Sequence, residues 1–221
     1  MIIPGALSSV LFPAFTVSLL HDQQRAALLF RRGVKYLFLA IFPLVLVIVA
    51  FAPEGLRIWL GPQFSPSSSS VLRWLAAGVF VNSLAFLPFT LIQSSGRPDR
   101  TAKLHLIELP VYLLALVLLV RADGIVGAAI AWTGRLTVEA VVVFWMISPV
   151  LPQASRFFSK LASATAAGLL LLSLACFPRS TVWKIAYVIP ALLMFVFAVR
   201  VHGLTPEERT FLAGASTSDG D

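Results

Sequence analysis

The chain has 221 residues, of which 58% are hydrophobic and only 12% charged, with a formal net charge of +7 and a mean hydropathy of +0.90. A soluble domain carries about 25% charged residues, so the composition excludes an ordinary soluble fold and leaves no soluble surface on which a basic patch could hold nucleic acid. The single cysteine, Cys176, sits inside an apolar block and excludes a disulfide framework or a cysteine-ligated metal.

The apolar residues fall in blocks of bilayer length, since a membrane span takes ~17–25 residues. They predict an all-α, polytopic membrane bundle of about seven transmembrane helices over residues 1–201. The first span is expected at 2–20, interrupted by Pro4 and Pro13. No charged segment precedes it, so there is no signal-peptide pattern, and the chain reads as though entered partway through a larger protein. A basic joint, His21–Lys35, carries Arg25, Arg31, Arg32 and Lys35. The second span is expected at 36–52, with Pro43 near its middle. In the joint Pro53–Ser70, Trp59 and Phe64 suit an interfacial segment, and the serine run ending at Ser70 is expected to be flexible and solvated. The third span, 74–93, contains Asn82 and Pro88.

A tight turn marked by Gly96 and Pro98 follows, carrying Arg97, Arg100 and Lys103. The fourth span is expected at 104–120. The joint of Arg121, Asp123 and Gly124 is so short that spans four and five, the latter at 125–147, form an antiparallel hairpin. The sixth span is expected at 161–177 and the seventh at 185–201, with Pro190 inside it. The tail, 202–221, ends in a Ser/Thr/Asp/Gly run expected to be disordered.

Alternating sides collect unequal charge. One side holds Arg25, Arg31, Arg32, Lys35, Arg97, Arg100, Lys103, Arg156, Lys160, Arg200 and Arg209; the other holds Arg57, Arg73, Arg121, Arg179 and Lys184. The richer side is assigned to the cytoplasm. The C-terminus then faces the cytoplasm and the first span begins outside, which again suggests helices upstream.

No P-loop, zinc spacing or nucleophile elbow is present, and His21, His105 and His202 are scattered. The reading is therefore of a non-enzyme with no metal site. What remains is a short set of intramembrane polar groups: Asn82, Gln93, His105, Glu108, Arg135 and Glu139. Arg135 and Glu139 are four apart and share a helix face. At ~1.5 Å per residue, Arg135 lies about 15 Å below the outer end of its span, Glu139 about 12 Å from the other end, and Glu108 about 6 Å from that end on the neighbouring helix. Facing helices would join the three in one network. A charge at a helix centre costs ~2.5–3.5 kcal/mol, so these groups should face protein or a cavity. Each has a plainer reading: Arg135 and Glu139 as a structural ion pair, Glu108 as reaching cytoplasmic water or Lys103, His105 as interfacial, and Asn82 as an interhelical hydrogen bonder. Arg97, Arg100 and Lys103 read as a cytoplasmic topology signal, with contact to anionic lipid headgroups as the alternative.

The runs IWLGPQF (58–64), VLRWLAAGVFVNSLAFLPFTLIQSSGRPDRTAKLHLIELPVYL (71–113) and GIVGAAIAWTGRLTVEA (124–140) resemble bacterial polysaccharide and O-antigen flippases of the multidrug/oligosaccharidyl-lipid/polysaccharide exporter superfamily. VLFPAF (10–15) resembles the helix that opens the family's second half. The resemblance covers most of 10–140 and is most specific at the Gly-Arg-Pro-Asp turn. It implies a MATE-like fold of two helix bundles around a central cavity, of which this chain matches the second. It also implies translocation of a lipid-linked oligosaccharide across the bacterial inner membrane by alternating access.

Under that resemblance, Arg135, Glu139 and more weakly Glu108 are the substrate-binding candidates, with Asn82 and His105 structural or interhelical. The implied partners are a polyprenyl-pyrophosphate-linked oligosaccharide, membrane lipids, and a second transporter half or polysaccharide assembly proteins. No organic cofactor is expected; the coupling ion would be a proton or sodium. A multidrug or small-molecule antiporter of the same superfamily, and a membrane scaffold or enzyme subunit in glycan assembly, stay open as alternatives.

Overall fold

A computed structural model gives the fold, describing residues 2–63, 65–152, 155–177 and 180–198. Among the described residues all regular structure is helical: α1 (Ile2–His21), α2 (Gln23–Ala50), α3 (Ala52–Leu60), α4 (Ser65–Ser94), α5 (Pro98–Ile147), α6 (Ser155–Leu174) and α7 (Thr181–Ala198). The protein is a polytopic membrane helix bundle. Gln23–Ala50, Ser68–Ser94, Pro98–Ile147 and Phe157–Leu174 are long and apolar enough to cross a bilayer, while Ser9–His21 and Thr181–Val196 are shorter apolar helices. The tail 202–221, with Arg209, lies outside the described residues, as do Arg179 and Arg200.

The chain divides into two compact units, Met1–Phe177 and Pro178–Asp221. In the second, α7 starts beside Ser180, whose hydroxyl accepts a hydrogen bond from the Trp183 N–H at 3.4 Å, and carries Pro190 inside. In the first, α4 is the central helix and packs against α1, α2, α3 and α5. Its core joins Phe80, Leu84, Leu87 and Leu91 of α4 to Phe30, Leu37, Phe42 and Leu46 of α2, all buried. Phe38 stacks on Phe42 at 5.6 Å, and Phe80 meets Phe42 at 5.8 Å. Phe30 meets the edges of Phe144, Phe157 and Phe158 at 6.3, 6.1 and 6.0 Å, tying α2 to α5 and α6. Such aromatic pairs each contribute ~0.5–1.5 kcal/mol beyond area burial.

The joints are more helical than their polarity suggests. His21–Lys35, expected as a loop, is interrupted only at Asp22, whose side chain accepts the Arg25 N–H at 3.0 Å and caps α2. From Gln23 the Gln, Arg, Ala and Leu residues are good helix formers, so α2 runs 28 residues, about 42 Å at ~1.5 Å per residue. That exceeds the ~30 Å hydrocarbon core and carries its basic first turns beyond it.

In the joint Pro53–Ser70 the short helix α3 forms, with Pro53 in its first turn and Ile58 and Trp59 exposed at 86% and 80%. An apolar face of this kind fits an interfacial segment; Phe64 lies outside the described residues. The serine run is not a solvated linker: Ser68, Ser69 and Ser70 are in α4, and Ser69 is buried. The helix that carries the expected fourth span also starts ahead of residue 104. Helix α5 begins at Pro98, a residue suited to a first turn because its missing N–H has no intrahelical role there.

Candidate functional site: a buried ion network in the α5 hairpin

Helix α5 has 50 residues, about 75 Å at ~1.5 Å per residue and too long for one span. It is broken at Gly124, where φ is 58° and ψ −132°, a backbone conformation glycine adopts without steric penalty. The two limbs, 98–123 and 125–147, fold back on one another. Gly127 makes the close approach possible, because a Cβ there would collide with the Leu119 carbonyl. The second limb docks on α4 through small residues. A Cβ on Gly78 would meet the Trp132 ring at 2.6 Å, and the Thr133 hydroxyl donates to the Trp74 carbonyl at 2.8 Å. Small residues and hydroxyl bonds of this kind hold membrane helices together where no hydrophobic force between helices exists.

Reversal at Gly124 sets the register. His105, Glu108 and Tyr112 lie on one face of the first limb, at intervals of three and four residues. Arg135 and Glu139 lie on the facing side of the second. Arg135 Nε is 3.3 Å from Glu108 Oε2, and Arg135 Nη2 donates to Glu139 Oε2 at 3.4 Å. His105 Nδ1 lies 3.4 Å from Glu108 Oε2, and His105 Nε2 is 3.9 Å from Glu139 Oε1. The guanidinium also sits over the Tyr112 ring, 5.5 Å from its centroid, in cation–π range. From α4, Phe89 packs against the His105 ring at 5.7 Å.

Burial differs across the network. The Glu108 and Glu139 side chains are 8% and 11% exposed, Arg135 29% and His105 40%. Both carboxylates thus share one cation that keeps an open side. Glu108 Oε1 is buried and has no hydrogen-bond partner among the described residues. The network is one donor short of full satisfaction, a costly state in low dielectric.

The sequence candidates therefore converge in part. Arg135, Glu139 and Glu108 meet, and His105, expected as interfacial, joins them. Glu108 does not reach Lys103 as its plainer reading required, because Lys103 pairs with Asp99 at 3.4 Å on the exposed first turn. Asn82 is half-buried on α4. Arg97, Arg100 and Lys103 lie at the start of α5, away from the network. Tyr112 and Phe89 were not legible as members. The sequence did contain a signal for the register: reflecting Arg135 and Glu139 through Ala122 places them opposite positions 109 and 105. His105, Glu108 and Glu139 also bring three potential metal ligands within 4.8 Å of one another. The guanidinium of Arg135 already pairs with both carboxylates of that set.

On the other side of the second limb, Thr133 and Thr137 line a separate cavity of about 500 Å³ with Val49, Ala77, Leu169 and Leu172. Its walls, drawn from α2, α4, α5 and α6, are mainly apolar.

Comparison with known proteins gives the network a context. Over 145 residues the chain is 32% identical to "Putative O-antigen transporter" of Shigella flexneri, covering 66% of this chain and 34% of that protein. Over 142 residues it is 27% identical to "Probable low-salt glycan biosynthesis flippase Agl15" of Haloferax volcanii, covering 64% of this chain and 30% of that protein. The chain thus spans about a third of the length of these curated relatives. No protein-family model matches it, and no solved structure matches it significantly. With its apolar helices, the chain is thus similar to proteins named as an O-antigen transporter and a glycan flippase.

Proposed function

We propose that this chain serves the translocation of a lipid-linked oligosaccharide across the bacterial inner membrane, as a transporter and not as an enzyme. The observation that carries this reading is the half-open guanidinium of Arg135, held inside the hairpin of a chain whose curated relatives are named transporter and flippase.

Two of the guanidinium's nitrogens engage Glu108 and Glu139. The remaining donors and the 29% exposed surface leave a side on which a phosphate oxygen can bind. A diphosphate carries more charge than either carboxylate and competes for the same fork. In the unloaded state the carboxylates neutralise Arg135 and make its burial affordable. When the diphosphate head arrives, Glu139 is released and becomes available to a coupling cation, a proton or sodium. The exchange gives alternating access a two-state element whose equilibrium both substrate and ion bias. The apolar cavity beside α6 suits part of the polyprenyl tail.

In its native membrane the C-terminus would face the cytoplasm, with Arg25, Arg31, Arg32 and Lys35 on the same side. Partners consistent with this role are membrane lipids and a further transporter half or polysaccharide assembly proteins.

The test is genetic. Deleting the gene in its native host should reduce surface polysaccharide and accumulate the lipid-linked precursor. Wild type should restore export, Arg135→Lys partly, and Arg135→Ala not at all. Full export from the deletion strain refutes the transport role. Full rescue by Arg135→Ala refutes the role of the arginine.

A further inference from the structure

We propose a second anion site, separate from the hairpin network, in a cavity at the membrane face where α4 ends and α5 begins. It would hold a phosphate-bearing group, either a lipid headgroup or a free phosphate or diphosphate. The cavity measures about 500 Å³ and is lined by Leu19, Gln23, Ser95, Arg97, Arg100 and Val150, among others. That volume falls in the usual ~300–1,000 Å³ range of ligand pockets. Its parts come from three places in the chain: α1 and the start of α2, the α4–α5 turn, and the segment after α5.

Charge in the cavity is one-sided. Arg97 and Arg100 both line it, and among the described residues neither has a carboxylate partner. The two carboxylates nearest in sequence are engaged elsewhere: Asp99 pairs with Lys103 at 3.4 Å, and Asp22 accepts the Arg25 N–H at 3.0 Å. Gly96, at φ 75°, turns the chain so that Arg97 and Arg100 enter the cavity wall together. Arg97 is the N-cap of α5 but makes no side-chain cap bond, so the positive end of a long helix dipole adds to the two guanidiniums. Gln23 supplies an amide donor, and Leu19 and Val150 an apolar wall. Two unpaired arginines, a helix N-terminus and an amide donor around one space form the donor set that a phosphate oxygen array requires. The inference rests on this cavity and its charge and is independent of the role given to Arg135.

The full chain in phosphatidylcholine nanodiscs permits a two-armed test. In one arm, inorganic pyrophosphate is titrated by calorimetry; in the other, spin-labelled phosphatidate is added and its immobilised fraction is read by electron paramagnetic resonance. Saturable binding is expected in at least one arm, and the arm that binds identifies the source of the phosphate. Arg97→Gln/Arg100→Gln should weaken that binding at least tenfold. Ser95→Trp, which fills the cavity and leaves the charge intact, should do the same. Lys103→Gln/Lys160→Gln removes the same charge from the same membrane face outside the cavity and should change binding less than twofold, with helicity checked for every variant. Absence of binding in both arms overturns the proposal. So does binding that survives either cavity variant, or an equal loss in the lysine pair.

Discussion

Removing the Arg135 side chain leaves two buried carboxylates facing each other without a cation, and the cost can be worked from the geometry. Its contacts are 3.3 Å to Glu108 and 3.4 Å to Glu139, whose side chains are 8% and 11% exposed. Breaking a buried pair by deleting one partner costs ~3–5 kcal/mol. Arg135 itself keeps 29% exposure, so water screens part of the interaction and we expect a loss of ~2–3 kcal/mol for Arg135→Ala. Most of that loss is the penalty of the orphaned charges. The triple variant Arg135→Ala/Glu108→Gln/Glu139→Gln should therefore return to within about 1 kcal/mol of wild type. The assay is a titration of the detergent-solubilised chain with dodecyl sulfate, followed by helicity and tryptophan fluorescence. A single-variant loss under about 0.5 kcal/mol, or no recovery in the triple variant, would refute the claim that Arg135 offsets two buried carboxylates.

The hairpin itself is testable through its glycines. Gly127→Val should separate the limbs at Leu119 and lower the unfolding midpoint more than Gly134→Val, since a Cβ at Gly134 meets nothing within 4 Å. Thr133→Val removes the hydroxyl bond to the Trp74 carbonyl and should cost ~0.6–1.7 kcal/mol in the same titration, in line with interhelical bonds measured in membranes. Trp145 is 75% exposed and Trp132 packs over Gly78. In single-tryptophan variants, brominated lipid should therefore quench Trp145 strongly and Trp132 weakly; equal quenching would contradict the packing of α5 on α4.

Helical membrane architecture was legible because blocks of apolar residues carry their own boundary signals. The hairpin was legible at Gly124, where a short polar joint leaves room for nothing but a reversal. The joints were less legible. Arg25, Arg31, Arg32 and Lys35 read as a loop because charge cannot lie in the hydrocarbon core, yet charge is no obstacle to helix beyond it. α2 therefore continues through the segment with a single interruption at Asp22. Ser68 to Ser70 read as solvated because serine favours loops, but α4 absorbs them and buries Ser69.

In the site, i and i+4 spacing revealed the face shared by Arg135 and Glu139. Recruiting His105, Tyr112 and Phe89 depends on the rotation of one limb against the other and on the docking of α4. Packing decides those, and periodicity in one helix does not record them. The pairing of Lys103 with Asp99 and not Glu108 follows from spacing instead. Asp99 lies four residues before Lys103 on the same exposed helix face, whereas Glu108 lies five residues after it, off that face.

The central claim, that Arg135 meets the diphosphate head of a lipid-linked oligosaccharide, is tested most directly at Tyr112, whose ring lies 5.5 Å from the guanidinium carbon. Replacing Tyr112 with benzoylphenylalanine in cells fed radiolabelled sugar precursor, then irradiating, would capture whatever occupies that side of the network. The account predicts a labelled adduct on the chain that disappears when Arg135→Ala is added. No labelled adduct, or an adduct equally strong without the arginine, would contradict it.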